Sequence, residues 1–462
     1  MNTHDYPRSG PMSADPNRRR FLRAGGALSA GALFPTLAAW SPAVNAQVAD
    51  YRALVCVFLY GGNDSNNMIV PYDDYGTYAS GRGSTGAAID RSELVPISPS
   101  GLARFGLHPN LNDLAPLFAQ GKMAVVTNVG ALTAPLTRAQ YMAGATHPRN
   151  LFSHSDQQST WQGLVPGQAT PSGWGGRIVD VTGAGNATLA IPGMVSLAGD
   201  AIYTIGATSL PVALSQNGAT GLAGDRYSDE GRVRYAAMNK ILMLDRENQL
   251  QAKAADVMGL AIKSSEALSD ALNASYSAID AAFQGSNGGL ADQLYQCAKL
   301  VAARSQLGVS RHGFFTSMGG YDTHNAQRGE QASRFNDLGP ALAAFQKAME
   351  SLGVADKVTT FTLSDFSRTF RINANAGSDH AWGGHHLVLG GGVRGGAFYG
   401  RFPNLAMGGP DDAGDDGQWI PTTAIEQYGA TLAKWFGVPT ATLPQVFPNL
   451  KAFASADLGF LA

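Results

Sequence analysis

Cysteine is scarce in this chain: 462 residues contain two, Cys56 and Cys297. Cys56 falls inside an apolar, strand-like run and Cys297 inside a helical pattern, so both read as buried small hydrophobes with free thiols. Neither sits in a spacing that holds a metal, which excludes a cysteine-ligated ion. Charge is also sparse, at 15% of residues, and neither sign dominates: 33 Lys and Arg stand against 35 Asp and Glu. That balance argues against nucleic acid as a partner, because a phosphate backbone calls for a basic face. Long hydrophobic runs are missing too. Beyond the N-terminal leader no stretch is long enough to span a membrane, so no stable membrane span is expected. Internal repeats and low-complexity linkers are absent outside the leader.

Glycine, in contrast, is abundant, with 56 residues, which implies many tight turns and close backbone approaches. With 44% hydrophobic residues, the chain is long enough for one large α/β domain or two smaller ones. The leader has the three parts of an export signal. Arg18-Arg19-Arg20-Phe21-Leu22 begins it, a mild apolar run rich in Gly and Ala follows, and Val44-Asn45-Ala46 suits a signal peptidase. Paired arginines followed by one residue and two apolar residues resemble the twin-arginine export motif. Residues 1–46 therefore read as a signal peptide that engages the twin-arginine translocase and signal peptidase. The mature protein, 47–462, is expected to be periplasmic or secreted and to form a single domain.

Three apolar runs each end in an aspartate within a few residues. Ala53 to Tyr60 leads to Gly61-Gly62-Asn63-Asp64. His312 to Met318 leads to Gly319-Gly320-Tyr321-Asp322-Thr323-His324. Val358 to Leu363 stops at Ser364-Asp365, and a polar segment with Arg368, Arg371, Asp379, His380, His385 and His386 follows before the next apolar run, Leu387 to Leu389. Between strands, Leu111 to Gln120, Arg328 to Leu352 and Pro421 to Trp435 have helical spacing, and Met123 to Val129 reads as a further buried strand. The order strand, helix, strand predicts a parallel, doubly wound sheet. Residues 229–306 read as a helical insertion, with Met243, Leu250, Ala254, Val257 and Ala261 spaced for one face.

In open α/β sheets ligands bind beyond the carboxyl ends of strands. There Asp64, Asp322, His324, Asp365 and His380 supply oxygen and nitrogen donors that suit a divalent ion, zinc or manganese, better than calcium. Each residue alone is as well explained as a turn former; together they predict a shared metal site. The loop Leu151-Phe152-Ser153-His154 offers a serine hydroxyl beside an imidazole. Ser153 reads either as a nucleophile or as a turn residue before a capping box at Ser155-Asp156-Gln157-Gln158. His154 reads as ligand, base or structural residue. Arg368 and Arg371 either hold an anionic group in a guanidinium fork or pair with Asp365 and Asp379.

The blocks GGNDSNNMIVP, GGYDTH and SDFSRTFRINANAGSDHAWGGHH, with the twin-arginine leader, resemble the bacterial exported family called domain of unknown function 1501. The stretches LHPNLNDLAPLFAQGKMAVVTNVG and WIPTTAIEQYGATLAKWFGV carry the resemblance over essentially the whole mature chain. That family is similar to the alkaline phosphatase and sulfatase superfamily. The resemblance implies a three-layer α/β sandwich around a largely parallel sheet, with helical insertions. It also implies Asp64, Asp322, His324, Asp365 and His380 as metal ligands, with His385 or His386 (His386 in the ligand set) in place of a missing histidine at Phe366. With Phe366 there, one ion is expected rather than two. Ser153, His154 and Arg368 fall to catalysis. Neither cysteine has the Cys-x-Pro-x-Arg context that sulfatases convert to formylglycine. The implied activity is metal-dependent hydrolysis of a phosphate or sulfate ester on a small molecule or polymer. A non-catalytic envelope protein that keeps the fold with a degraded site is the alternative.

Overall fold

The computed structural model describes residues 50–82, 86–165, 170–183, 191–215, 228–244 and 246–462. The expected signal peptide, residues 1–46, lies outside them. Among the described residues no helix is long and apolar enough to cross a membrane.

The strands are β1 (Arg52–Leu59), β2 (Ile69–Pro71), β3 (Val95–Ile97), β4 (Phe105–Leu107), β5 (Met123–Gly130), β6 (Met194–Ser196), β7 (Val212–Ala213), β8 (Arg311–Met318), β9 (Val358–Ser364), β10 (Gly384–Leu389), β11 (Phe398–Tyr399) and β12 (Thr423–Ala424). A nine-stranded sheet runs β11-β5-β10-β9-β1-β8-β6-β7, with β12 also on β5, and β2-β4-β3 form a small separate sheet. In the large sheet only β10 pairs antiparallel, with β5 and β9; the other pairings are parallel.

The residue pattern accounts for this architecture. β1 is apolar almost throughout, and β5 and β9, which mix in Thr, Asn and Ser, are buried at every position, as strands covered on both faces require. Successive side chains point to opposite faces. Ala53, Val55, Val57 and Leu59 join one core with Leu294, Cys297 and Val301 of the helix Gly289–Ala302 and Phe335, Leu342 and Phe345 of the helix Gln327–Ser351. Leu54, Cys56 and Phe58 join a second core with Ile178 of the helix Trp174–Thr182 and Tyr428, Leu432 and Phe436 of the helix Ile425–Phe436. The protein is thus an α/β sandwich of three layers around a mostly parallel sheet. Val55, Val57, Leu59, Val125, Phe315, Phe361, Leu363, Val388 and Leu389, the expected sheet core, are all buried. Both cysteines are free and buried.

Some boundaries differ from the sequence pattern. Pro421 to Ala424 is not helical; Thr423 and Ala424 pair with β5 before the last helix starts at Ile425. The run Leu111 to Gln120 begins as a 3-10 turn, Pro109–Leu114, before a short helix. In the insertion, Met243 and Leu250 are solvent-exposed, and the helix Gln249–Asn273 buries Ile262, Leu268 and Leu272 instead. The periodicity there marked an apolar stripe, but the stripe that meets the body lies one to two turns further along.

The register decides where the chemistry can sit. Leu59 of β1 is level with Met318 of β8 and with Ser364 of β9. The loops carrying Asp64, Asp322 and Asp365 therefore leave one edge of the sheet side by side.

Candidate metal centre

Three loops and one helix end build the site. Asp322 and His324 follow β8. Asp365 ends β9. His380 returns on an irregular hairpin in which Ser367 and Thr369 pair with Trp382, Ala381 and Asp379 through backbone hydrogen bonds of 2.9–3.1 Å. The turn of this hairpin docks on the Asp322 loop, with Ser378 N donating to Thr323 O at 3.0 Å and Gln327 N to Ala376 O at 3.0 Å. Gly377 makes the contact possible, since a Cβ there would overlap the carbonyl of His324. Gly61 has the same role on the other side: its φ is +111°, and a Cβ would lie 2.5 Å from Asp322 N. His154 opens the helix His154–Gly163.

These elements direct three imidazoles at one carboxylate oxygen. Asp322 Oδ1 lies 2.9 Å from His324 Nε2, 3.3 Å from His380 Nε2 and 3.4 Å from His154 Nε2. His324 Nε2 and His380 Nε2 are 3.1 Å apart. Each imidazole commits its other nitrogen to an oxygen that can only accept. His154 Nδ1 faces Asp365 Oδ2 at 2.6 Å, His324 Nδ1 faces Asp379 Oδ1 at 3.1 Å, and His380 Nδ1 faces the Phe152 carbonyl at 2.6 Å. The protons of the neutral rings therefore belong on Nδ1, and three Nε2 lone pairs meet a carboxylate oxygen. Arg368 NH1 donates to the same oxygen at 2.8 Å and offsets the carboxylate charge, but it offers nothing to the three Nε2 lone pairs. His154 Nε2 is buried with no hydrogen-bond partner.

The separations fit a small ion. Four ligands at about 2.1 Å in a tetrahedron stand about 3.4 Å from one another, close to the 2.9–3.4 Å measured here. One imidazole nitrogen fixed by an outer acceptor is also the usual dress of a metal-bound histidine. The residues present thus fit a divalent ion: His154, Asp322 and His380, whose ligand atoms lie within 4.8 Å of one another, would hold it, with His324 beside Asp322 and His380.

Electrostatics support a cation more than a proton. Burial, with the neighbouring Arg368 and His154 charges, holds the His380 pKa below the ordinary imidazole value, despite the Phe152 carbonyl. Burial raises Asp322, but Arg368 above all, then His154 and His324, outweigh it and leave its carboxyl below the usual range. Asp365 is the opposite case: burial raises its pKa, only partly offset by Gln158, His154 and the Gly61 amide.

The other expected site residues have different partners. Asp64 is buried and carries a double contact from Arg82, a hydrogen bond from Gln327 and one from Asn66 N at 3.0 Å, so its oxygens are taken. Asp365 reaches the centre only through His154; its Oδ2 also receives Gln158 Nε2 at 2.9 Å and Gly61 N at 3.3 Å. His386 lies in the second core, 4.9 Å from the Trp161 ring and stacked on Tyr428, and burial lowers its pKa to about 3. It does not replace a ligand. Phe366 instead forms an aromatic wall, with its ring centroid 4.8 Å from that of His154 and 4.7 Å from that of His380. Arg368 is fully buried; its NH1 donates to Asp322 Oδ1 at 2.8 Å, and the rest of its guanidinium is held by Ser378. It pairs with neither Asp365 nor Asp379, and it reaches no solvent from which a substrate could arrive. Arg371 pairs with Asp416 at 2.5 Å. Ser153 caps the helix start, and its hydroxyl donates to Asp156 at 2.6 Å.

Solved structures similar to this chain include a sulfatase, PsFucS1, from Pseudoalteromonas sp., at 10% identity over 92% of this chain and 72% of that one, with a TM-score of 0.32. A lipoteichoic acid synthase, LtaP, from Listeria monocytogenes matches at 7% identity over 87% of this chain and 76% of that one, with a TM-score of 0.32. The C-terminal periplasmic domain of EcEptC from Escherichia coli, solved with Zn, matches at 8% identity over 76% of this chain and 77% of that one, with a TM-score of 0.27. At these scores the likenesses lend no weight to any assignment of chemistry. No curated protein matches the chain. Residues 51–413 match the family described as protein of unknown function (DUF1501), and the chain belongs to that family.

Proposed function

We propose that the protein is an exported, metal-dependent hydrolase of phosphate or sulfate esters. One observation carries the reading: three Nε2 atoms each lie within 3.4 Å of Asp322 Oδ1, each ring with its Nδ1 already committed. Nitrogen-rich donors of this kind favour zinc, with manganese second. When bound, such an ion would polarise an ester oxygen and lower the pKa of water. The protein's own part is to orient and to stay open. Asp365, Asp379 and the Phe152 carbonyl fix the three rings, and Arg368 fixes Asp322. The side chains of Asp322 and His324 are 45% and 44% exposed, so an ester group can approach from solvent.

His154 serves as a ligand in this reading and Arg368 as a positioning residue. Water is the nucleophile in this reading, and the Ser153 hydroxyl, which donates to Asp156, stands at the start of the helix His154–Gly163. The leader directs the mature chain, from Gln47, to the periplasm or beyond. A panel of aryl phosphates and aryl sulfates tests the activity on zinc-loaded, manganese-loaded and chelator-treated protein. Turnover of at least one ester that disappears on chelation and in His324→Ala is the expected result. Metal-loaded protein inert toward every ester would favour the non-catalytic envelope protein.

A further inference from the structure

We propose that Arg82 is a built-in cation standing beside Asp64 where a second metal ion would sit, so that the centre holds a single ion. This rests on the metal reading above. Asp64 is the aspartate at the end of β1, level with the strand ends that carry Asp322 and Asp365. By position it belongs with the ligands. Its charge, however, is already neutralised. Arg82 places NH1 on Asp64 Oδ2 and NH2 on Asp64 Oδ1, and both side chains are buried, at 0% and 1% exposure. The guanidinium is itself fixed by Asn67 Oδ1 at 2.8 Å, by the Thr369 carbonyl at 3.0 Å and by the Phe370 ring, 5.2 Å from its centroid. A divalent ion at Asp64 would have to displace a buried cation held on four sides. The wall formed by Phe366 contributes no donor atom on that side.

The pair still communicates with the centre. Gln327 Nε2 donates to Asp64 Oδ2, which turns Gln327 Oε1 toward the hydroxyls of Thr323 and Ser378. Ser378 Oγ accepts from Arg368 Nε at 3.2 Å, and Arg368 NH1 donates to Asp322 Oδ1 at 2.8 Å. The carboxylate of Asp64 accepts only, so it fixes which end of the Gln327 amide faces it and hence which end faces Ser378. Asp64 is therefore a positioning residue for Asp322, two side chains removed from Arg368.

Metal counting tests this without any assay of activity. Purified full-length mature protein is stripped, saturated with zinc alone or manganese alone, and its ion content is measured by mass spectrometry. The wild type should bind one ion per chain. The double substitution Asp64→Asn with Arg82→Met, which removes both charges together, should also bind one, with affinity lowered within about tenfold, at the edge of what outer-shell changes produce. Two ions in the wild type, falling to one in the double variant, would overturn the proposal. If the double variant does not fold, the wild-type count alone decides. A wild type that binds neither metal overturns both this proposal and the metal reading. Metal-loaded protein that binds one ion but turns over no ester ends only the hydrolase reading.

Discussion

Asp365→Asn separates a metal ligand from a residue that merely orients one. The substitution removes a negative charge and keeps the shape. Asp365 Oδ2 now receives three donors, from His154, Gln158 and Gly61, while Oδ1 is buried without a partner. An asparagine can place its oxygen at the Oδ2 position and keep all three, with its amide nitrogen in the partnerless position. What changes is the bond to His154 Nδ1, which loses its ionic acceptor. A charge-assisted bond is roughly twice as strong as a neutral one, and the imidazole becomes a poorer donor to metal. Outer-shell changes of this type lower metal affinity about 10–100-fold, or about 1.4–2.7 kcal/mol.

Fold stability should move the other way. Burial raises the Asp365 pKa above its unfolded value. Such a group favours the fold while protonated, and that contribution is lost as pH rises through the folded pKa. Wherever Asp365 is ionised the apo wild type carries a buried charge at a cost, and the asparagine variant does not. The assay is zinc titration against a competing chelator, with thermal melts of the apo proteins alongside. A tenfold to hundredfold weaker zinc affinity with an unchanged or higher apo melting temperature is the expected pair of results. A loss of several orders of magnitude would make Asp365 a direct ligand and refute the geometry argued here. An unchanged affinity would refute the orienting role.

Two further outcomes follow from other parts of the molecule. Glu426, in the first turn of the helix Ile425–Phe436, is buried, and burial pushes its pKa up to about 7, with Asn449 as its one partner at 3.3 Å. Its folded pKa exceeds the unfolded one, so stability is lost as pH rises between about 4.5 and about 7; Glu426→Gln should match the wild type at pH 4 and melt several degrees higher at pH 8, and equal melting at both would contradict the burial argument. Arg18→Lys with Arg19→Lys should leave uncleaved precursor in the cytoplasm, read by immunoblot of cell fractions, and normal maturation of that variant would remove the twin-arginine assignment.

The sheet was legible because burial on both faces writes itself as an uninterrupted apolar run. β1 is such a run; β5, β8 and β9 interrupt theirs with Thr, Ser or Asn, yet all four lie within a residue or two of the expected bounds. The two-residue strands β7, β11 and β12 carry too little pattern to be told from loop. Nor does anything local to Leu387–Leu389 show that β10 enters antiparallel between two parallel neighbours. Strand direction is settled by the hairpin that precedes it, and its backbone pairs come from tertiary docking on the Asp322 loop.

At the site, proximity to a strand end proved a necessary condition and not a sufficient one. It gathered Asp64, Asp322 and Asp365 alike, since parallel strands in register must bring all three to one edge. What separates them is what else reaches each carboxylate. Asp322 receives Arg368 but also meets three imidazoles and is left partly in solvent; Asp64 is enclosed by Arg82, the last residue of the helix Tyr75–Arg82, and by Gln327. Asp365 meets the Nδ1 side of His154 and so faces the wrong nitrogen to be a ligand. For the histidines a local signal did exist. His385 and His386 lie inside β10, flanked by Leu387 and Val388, where alternation sends one ring to Phe402 and the other to Trp161. A histidine within a buried strand is a core residue, and one in a polar loop beyond it is free to bind. By that criterion His154, His324 and His380 are the imidazoles to choose, and they are the three whose Nε2 atoms converge on Asp322.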